Sequence, residues 1–389
     1  MAFVTWARTV APSSGRHPKV NSAIRRTAVA VSASTMTLML AACGALDGSS
    51  GGDEASPTKG DDITVGLLLP EKSNSRYEKF DYPIIKEKVE TLTDGKGKVV
   101  YENAEQDAAE QNKQLARMVA DKVDVLLVDA VDSKAIASGV KQAKEAGIPV
   151  IAYDRLAEGP IDAYVSFDNE AVGQVQGRAL ADELNGGKTQ KIVMMNGAVT
   201  DPNAAQFKEG ALTELKGKVT IAKSYDTKEW KPANARANMM AAISAVGADN
   251  IAGVYSANDG MAGGIISALK AAGVTDLPPI TGQDAELDAV QRVVIGDQFM
   301  SVYKPYPQEA ETAAEMAVAV VRGFGIEFDS LTPDKASSPT KKNIPSNLLQ
   351  VSALTKDTIK STVLRDGIYT ADQICTAKYK AACDSLGIK

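Results

Sequence analysis

Val123-Asp-Val-Leu-Leu-Val-Asp-Ala-Val-Asp132, then a helical stretch ending Lys144-Glu-Ala-Gly147, then Pro149-Val-Ile-Ala-Tyr-Asp154, decides the fold because it has a counterpart further along the chain. There Ile251-Ala-Gly-Val-Tyr-Ser-Ala-Asn-Asp259 leads into a helix ending Lys270-Ala-Ala-Gly273, and Pro279-Ile-Thr-Gly-Gln-Asp284 follows. Each copy reads as strand, helix, strand: a short β-branched run, a helix closed by glycine, and a second apolar run. The period, well over 100 residues, is that of a duplicated domain and too long for a solenoid.

The same alternation holds on either side. Ile63 to Leu69, Lys98 to Tyr101, Val123 to Val128, Ile148 to Tyr153 and Ala163 to Phe167 read as strands of a first half. Lys191 to Met195, Val219 to Tyr225, Ile251 to Ser256, Pro279 to Gly282 and Phe299 to Tyr303 read as strands of a second. Their hydrophobicity is continuous, not alternating, which fits strands covered by helices on both faces. The fold class is therefore α/β, with two doubly wound parallel-sheet lobes and a ligand cleft between them.

The beginning of the chain is of another kind. Arg8, Arg16, Lys19, Arg25 and Arg26 precede an apolar, small-residue run from Thr27 to Ala42, too short to span a bilayer, and Leu40-Ala41-Ala42-Cys43 reads as a lipoprotein cleavage box. Residues 1–42 are expected to be removed and Cys43 to carry a lipid, which places the rest outside the cytoplasmic membrane on a lipid anchor. An ordinary secretory signal with an incidental cysteine is the alternative. Residues 43–61, rich in Gly, Ser and Asp, form a flexible tether.

The chain has a net charge of -6, and its first 42 residues hold five Lys or Arg and no Asp or Glu, so the remainder stands at -11. That argues against nucleic acid as a partner. The one histidine, His17, lies in the leader, so histidine triads, histidine bases and histidine metal sites are excluded from the mature chain. Cys375 and Cys383 remain, and outside the membrane they are expected to form a disulfide. No metal, cofactor or catalytic residue is expected.

In open parallel sheets, ligands sit beyond the carboxyl ends of the strands. Here those positions are polar: Glu71 to Tyr77, Asp154-Arg155, Asn196 to Asn203, Asp226 to Trp230, Asn258-Asp259, Gln283-Asp284 and Lys304. Carboxylates, carboxamides and an arginine fork can each hold two neighbouring hydroxyls, and an aromatic ring can cover a C–H face, which is what a neutral sugar needs. Simpler roles compete. Asp132, Asp168 and Asp259 are placed to cap helices, Arg155 could form a surface ion pair, and Gly260 to Gly264 fit helix packing, since they lack the dinucleotide fingerprint spacing. Trp230 stands among Lys228, Glu229 and Lys231, an unusual setting for a core tryptophan.

From Ile63 to Gly323 the chain resembles the periplasmic sugar-binding proteins of the ribose and galactose type that serve ABC importers, most of all those for D-xylose. The resemblance rests on Tyr153-Asp154-Arg155, Ser166 to Glu170, Asp201-Pro202-Asn203-Ala204, Trp230 to Asn234, Ser256 to Asp259, Gly282 to Ala285 and Val302 to Pro305. It implies that Asp154, Arg155, Asn203, Asn258, Asp284 and Lys304 hydrogen-bond a monosaccharide and that Trp230 stacks on it. Arg76 and Tyr77 fall where the xylose type carries an arginine and a second stacking aromatic, with tyrosine in place of the usual tryptophan.

The resemblance further implies a monomer that closes on D-xylose or a related aldose and delivers it to a membrane permease. It also implies three crossings between lobes, near Phe167, near Tyr303 and after Leu331. The lobes would comprise residues 62–167 with about 304–332, and 168–303 with about 333–389, the tail capping one lobe. A sugar-binding protein feeding a chemosensory receptor is one rival. Another is an exported glycoside hydrolase built on Asp154 and Asp284.

Overall fold

The computed structural model describes residues 59–389 apart from 186 and 188; the leader, Cys43 and nearly all of the tether lie outside the described residues. In the first half, β1 (Thr64–Leu69), β2 (Lys98–Asn103), β3 (Val125–Val128), β4 (Val150–Tyr153) and β5 (Ala163–Phe167) alternate with helices. The second half begins with β6 (Lys191–Asn196), β7 (Thr220–Asp226), β8 (Gly253–Ser256) and β9 (Ser301–Tyr303). The chain then returns through β10 (Asp334–Ala336), β11 (Ile344–Leu349) and β12 (Ser352–Leu354).

The first sheet has the order β10-β11-β5-β4-β3-β1-β2, parallel throughout except for β10 against β11. Its central strands are buried at every position, and the reason is visible in β3. Val125 and Leu127 face the helices Tyr82–Leu92 and Tyr306–Arg322, while Leu126 and Val128 face Ala108–Ala120 and Ala137–Glu145. A strand with helices on both faces has no solvent side on which to place polar residues.

The second sheet has β6 between β7 and β8, all parallel. Where a strand is expected at Pro279 to Gly282, a single bridge joins Val254 to Ile280, and β9 pairs antiparallel with β12. Helices Asn169–Glu183 and Pro202–Leu215 cross closely on this lobe, as do Pro232–Val246 and Asp259–Ala271. At the second crossing a Cβ on Gly264 would stand 2.2 Å from the Pro232 carbonyl oxygen. Close helix contact is therefore what that glycine serves.

Three segments join the lobes: Asp168 after β5, Lys304-Pro305 after β9, and the link from β11 to β12. The first and third are tied directly, Asp168 N–H donating to the Leu349 carbonyl at 3.0 Å. This moves one expected boundary. The tail does not pass to the second lobe at residue 333; β11 first adds a parallel strand beside β5, and only the chain from β12 onward packs on the second lobe. The cause is edge pairing, for β5 would otherwise leave its outer backbone groups unpaired. Beyond β12 the tail packs Ile359, Val363, Ile368 and Ile374 onto Val290, Val293 and Val294, with Cys375 and Cys383 joined at S–S 2.07 Å. Among the described residues no helix is long and apolar enough to cross a membrane.

Candidate functional site

The segments that follow β1, β4, β6, β7, β8 and β9 supply residues to the cleft. All nine residues predicted from the sequence, Arg76, Tyr77, Asp154, Arg155, Asn203, Trp230, Asn258, Asp284 and Lys304, line one cavity between the lobes. The volume it encloses is about 30 Å³.

Arg76 is among the most enclosed of them. Its Nε and Nη2 donate to the two oxygens of Asp81 at 2.9 and 2.7 Å, Nη2 also to Glu309 at 2.6 Å, and Nη1 to Asp154 at 2.7 Å. Its guanidinium lies 4.3 Å from the centroid of Tyr306. Of five N–H donors, one on Nη1 is left over. Arg76 is thus chiefly the anchor of Asp154: burial alone would raise that carboxyl, but Arg76, Lys304 and Arg155 together hold it below the usual carboxylate range.

Arg155 is looser. Its Nε stands 3.1 Å from Asp201 and 3.5 Å from Asp129, its Nη2 3.8 Å from Glu71, and its Nη1 donates to the Ala130 carbonyl at 3.4 Å. At 5% exposure it is no surface ion pair. Burial raises the carboxyls of Asp129, Asp201 and Glu71, and Arg155 offsets part of that rise in each.

Several contacts join the lobes. Asn203 Nδ2 donates to both the side chain and the carbonyl of Asp154, at 3.1 and 3.0 Å. Asn74 Nδ2 donates to Asp284 at 3.2 Å, and Lys304 Nζ meets the other oxygen of Asp284 at 2.9 Å. Asn203 Oδ1 and Gln283 Oε1 are buried acceptors without a hydrogen bond among the described residues.

Trp230 forms the apolar wall. It is 7% exposed, its Nε1 donates to Asp201 at 3.2 Å, and Phe207 meets it edge-on with centroids 6.2 Å apart. A Cβ on Gly197 would lie 2.0 Å from the indole, so the ring seats against bare backbone. Asn258 is also a helix cap, its Oδ1 accepting from Met261 N–H. Asp168 and Asp132 accept from backbone N–H groups as expected of caps. Asp259 does not. It is the first residue inside its helix, fully buried, bound to Gln298, Ser301 and the Glu286 N–H, and burial pushes its carboxyl up to about 7.

Glu71, Asn74, Asp201 and Gln283 also line the cavity, from loops whose polarity marked them without singling them out. Phe207 was not marked at all. Its only signal is its place four residues after Asn203, on the same helix face. Among the described residues no three His, Cys, Asp or Glu side chains are grouped to hold a metal ion.

Residues 65–324 match the family model for the periplasmic binding protein domain. The D-xylose-binding periplasmic protein of Escherichia coli is 34% identical over 80% of this chain and 93% of its own length. The multiple sugar-binding periplasmic receptor ChvE of Rhizobium radiobacter is 31% identical over 80% and 92%. Among solved structures, an ABC transporter solute-binding protein from Clostridium phytofermentans with bound β-D-glucose superposes with a TM-score of 0.74 at 27% identity. It covers 80% of this chain and 99% of that one.

Proposed function

Because the chain belongs to the periplasmic binding protein family, among the sugar-binding periplasmic proteins, we propose that it captures D-xylose or a close aldose between its lobes and delivers it to an ABC importer. The observation that carries this reading is the makeup of the cavity. It combines an indole wall at Trp230, carboxylates at Asp154 and Asp284 fixed by cations, and two buried acceptors, Asn203 Oδ1 and Gln283 Oε1, with no partner among the described residues. A buried acceptor left unpaired costs about 1–3 kcal/mol, and a sugar hydroxyl removes that cost.

Asp154 and Asp284, the pair a hydrolase reading would rest on, support binding over hydrolysis. A glycosidase needs one carboxyl held protonated as an acid. Asp154 is instead held ionised by Arg76, and Asp284 is paired with Lys304. Cys43 is the site of lipid attachment in this reading, and the processed chain works as a monomer outside the cytoplasmic membrane.

A thermal-shift screen against pentoses and hexoses tests the proposal. A ligand at 100 times its Kd adds about 2.7 kcal/mol of stability, so D-xylose or a close aldose should raise Tm by several degrees. A flat response across the neutral monosaccharides would sink it.

A further inference from the structure

Phe80 lies four residues past Arg76, in the turn Tyr77–Asp81 that leads into the first-lobe helix Tyr82–Leu92. It belongs to two apolar clusters at once. One is the hinge cluster of Phe167, Tyr306 and Leu349, which draws a residue from beside each of the three crossings. The other is the cluster of the C-terminal tail, in which Phe80 is the only described residue of the first lobe. Its ring stacks on Tyr306, with centroids 6.0 Å apart at 27°, and meets Tyr369 of the tail edge-on at 6.1 Å and 69°.

Tyr369 is fixed to the second lobe. It follows Asp366, which accepts from the hydroxyl of Tyr303 at 2.8 Å, and it is packed among Val290, Val293 and Ile374. Tyr303 in turn precedes Lys304, which holds Asp284. The Phe80–Tyr369 pair therefore has one ring on each lobe, and rotation about the three crossings must change it. Each ring is also close to a cavity residue: Phe80 lies four residues from Arg76 along the chain, and Tyr369 connects to Lys304 through the hydrogen bond from Tyr303 to Asp366.

Resting on the sugar-capture reading above, we propose that Tyr369 is a positioning residue for closure: its ring docks on Phe80 when the lobes close, and so strengthens sugar binding without touching the sugar. The C-terminal tail is then a working part of the binding cycle, with the Cys375–Cys383 link holding together the segment that presents the ring. An edge-to-face pair is worth about 0.5–1.5 kcal/mol beyond its buried area. Since each 1.4 kcal/mol is tenfold, the pair should show as about a two- to tenfold effect on Kd.

The test is a double-mutant cycle on the full exported chain, with Phe80→Leu, Tyr369→Ala and the double variant, and with Tyr369→Phe as the conservative control. D-xylose is titrated by calorimetry and its release followed by stopped-flow fluorescence; unfolding of the sugar-free protein is measured in parallel. Tyr369→Ala should raise the D-xylose Kd about two- to tenfold through faster release, and Tyr369→Phe should stay near the parent. The two sites should couple in D-xylose affinity but add independently in the sugar-free unfolding midpoint. Coupling of equal size in the sugar-free protein would mean a permanent packing contact and overturn the proposal. A parent that binds D-xylose, with variants that bind it equally well, overturns the latch alone; a parent with no saturable D-xylose signal overturns the capture reading and the latch together.

Discussion

Asp154 and Asp284 occupy the same place in the two sequence repeats and both hold a positive φ, 54° and 94°. Each donates its N–H to the neighbouring strand, Asp154 to Val165 and Asp284 to Val302, at 2.9 and 3.0 Å. Each carbonyl is held by a tyrosine hydroxyl, Tyr164 for Asp154 and Tyr306 for Asp284. The repeat has thus kept a backbone geometry as well as a residue type, and at both places it turns a carboxylate into the cleft. Left-handed backbone in a non-glycine residue costs about 1–3 kcal/mol and persists where the surroundings over-determine it. Asp and Asn tolerate it best.

The pair yields a graded expectation. Asp284→Asn should keep the fold and lose D-xylose affinity by at least about tenfold, since Lys304 loses its charged partner inside a closed site. Asp284→Ala should lose the same affinity and also about 1 kcal/mol of stability, because alanine tolerates positive φ less well. Urea unfolding beside calorimetry separates the two, and an alanine variant as stable as the asparagine one would remove the argument from backbone strain.

Arg76 should matter more to the fold than to the ligand. Three carboxylates, Asp81, Asp154 and Glu309, share its guanidinium in a buried setting. Removing one partner of a buried ionic group costs about 3–5 kcal/mol, because the charges left behind have no compensation. Arg76→Met should therefore lower the urea midpoint far more than Arg155→Met, whose ion contacts are all 3.1 Å or longer. Equal losses would show that the two arginines are interchangeable in the folded core.

Arg76 also shows where a single sequence stops. The repeat and the polar strand ends could be read because strand periodicity and polar residues after strands are local signals, while the choice of nine residues among those segments came from the family resemblance. That Arg76 spends four of its five donors on its own carboxylates could not be read, since Asp154 and Glu309 reach it from 78 and 233 positions further along the chain. The tail failed for a related reason. Ile344 to Leu349 is a short run carrying a proline and an asparagine, so its strand state is set by the open edge of β5 more than by propensity. Asp259 looked like a cap, and its neighbour Asn258 fills that role.

Asp259 carries a pH dependence whose sign is opposite to that of a salt-bridged carboxylate. Its carboxyl rises from 3.8 to about 7 on folding, through burial. A raised folded-state pKa means that the native state binds the extra proton. Its stabilising contribution is complete below the unfolded value of 3.8 and is lost as pH climbs through about 7. Stability measured by urea unfolding should slope downward across that window, by at most about 1.4 kcal/mol per pH unit. Asp259→Asn should flatten that slope, because no carboxyl is left there to titrate. A slope unchanged by the substitution would place the titration elsewhere.

The Cys375–Cys383 link spans a sequence separation of 8. Closing so short a loop constrains the unfolded chain by about 2–3 kcal/mol at most. Mass spectrometry of the exported protein, digested without reduction, should show one intramolecular link; two alkylatable thiols would refute it. Cys375→Ser with Cys383→Ser should loosen the tail, seen as faster amide exchange after Ser352, before it loosens the sheets.

Trp230 is the only tryptophan after residue 42, so intrinsic fluorescence of the processed chain reports from a single position. The indole is held by its Nε1 bond to Asp201, by the edge of Phe207 and by the bare backbone at Gly197. Emission should change saturably when D-xylose binds, and Trp230→Ala should weaken binding by about 1–3 kcal/mol through lost apolar contact. Gly197→Ala provides the sharper test, because it leaves every polar group of the cavity in place. A Cβ there would come within 2.0 Å of the ring, so the indole must move away from the wall it forms. That variant should show shifted emission before any sugar is added, a D-xylose affinity near that of Trp230→Ala, and a double variant little worse than either one. If Gly197→Ala binds D-xylose like the parent while its emission has shifted, the indole is free to move without consequence for the ligand, and Trp230 packs the lobe without facing the sugar.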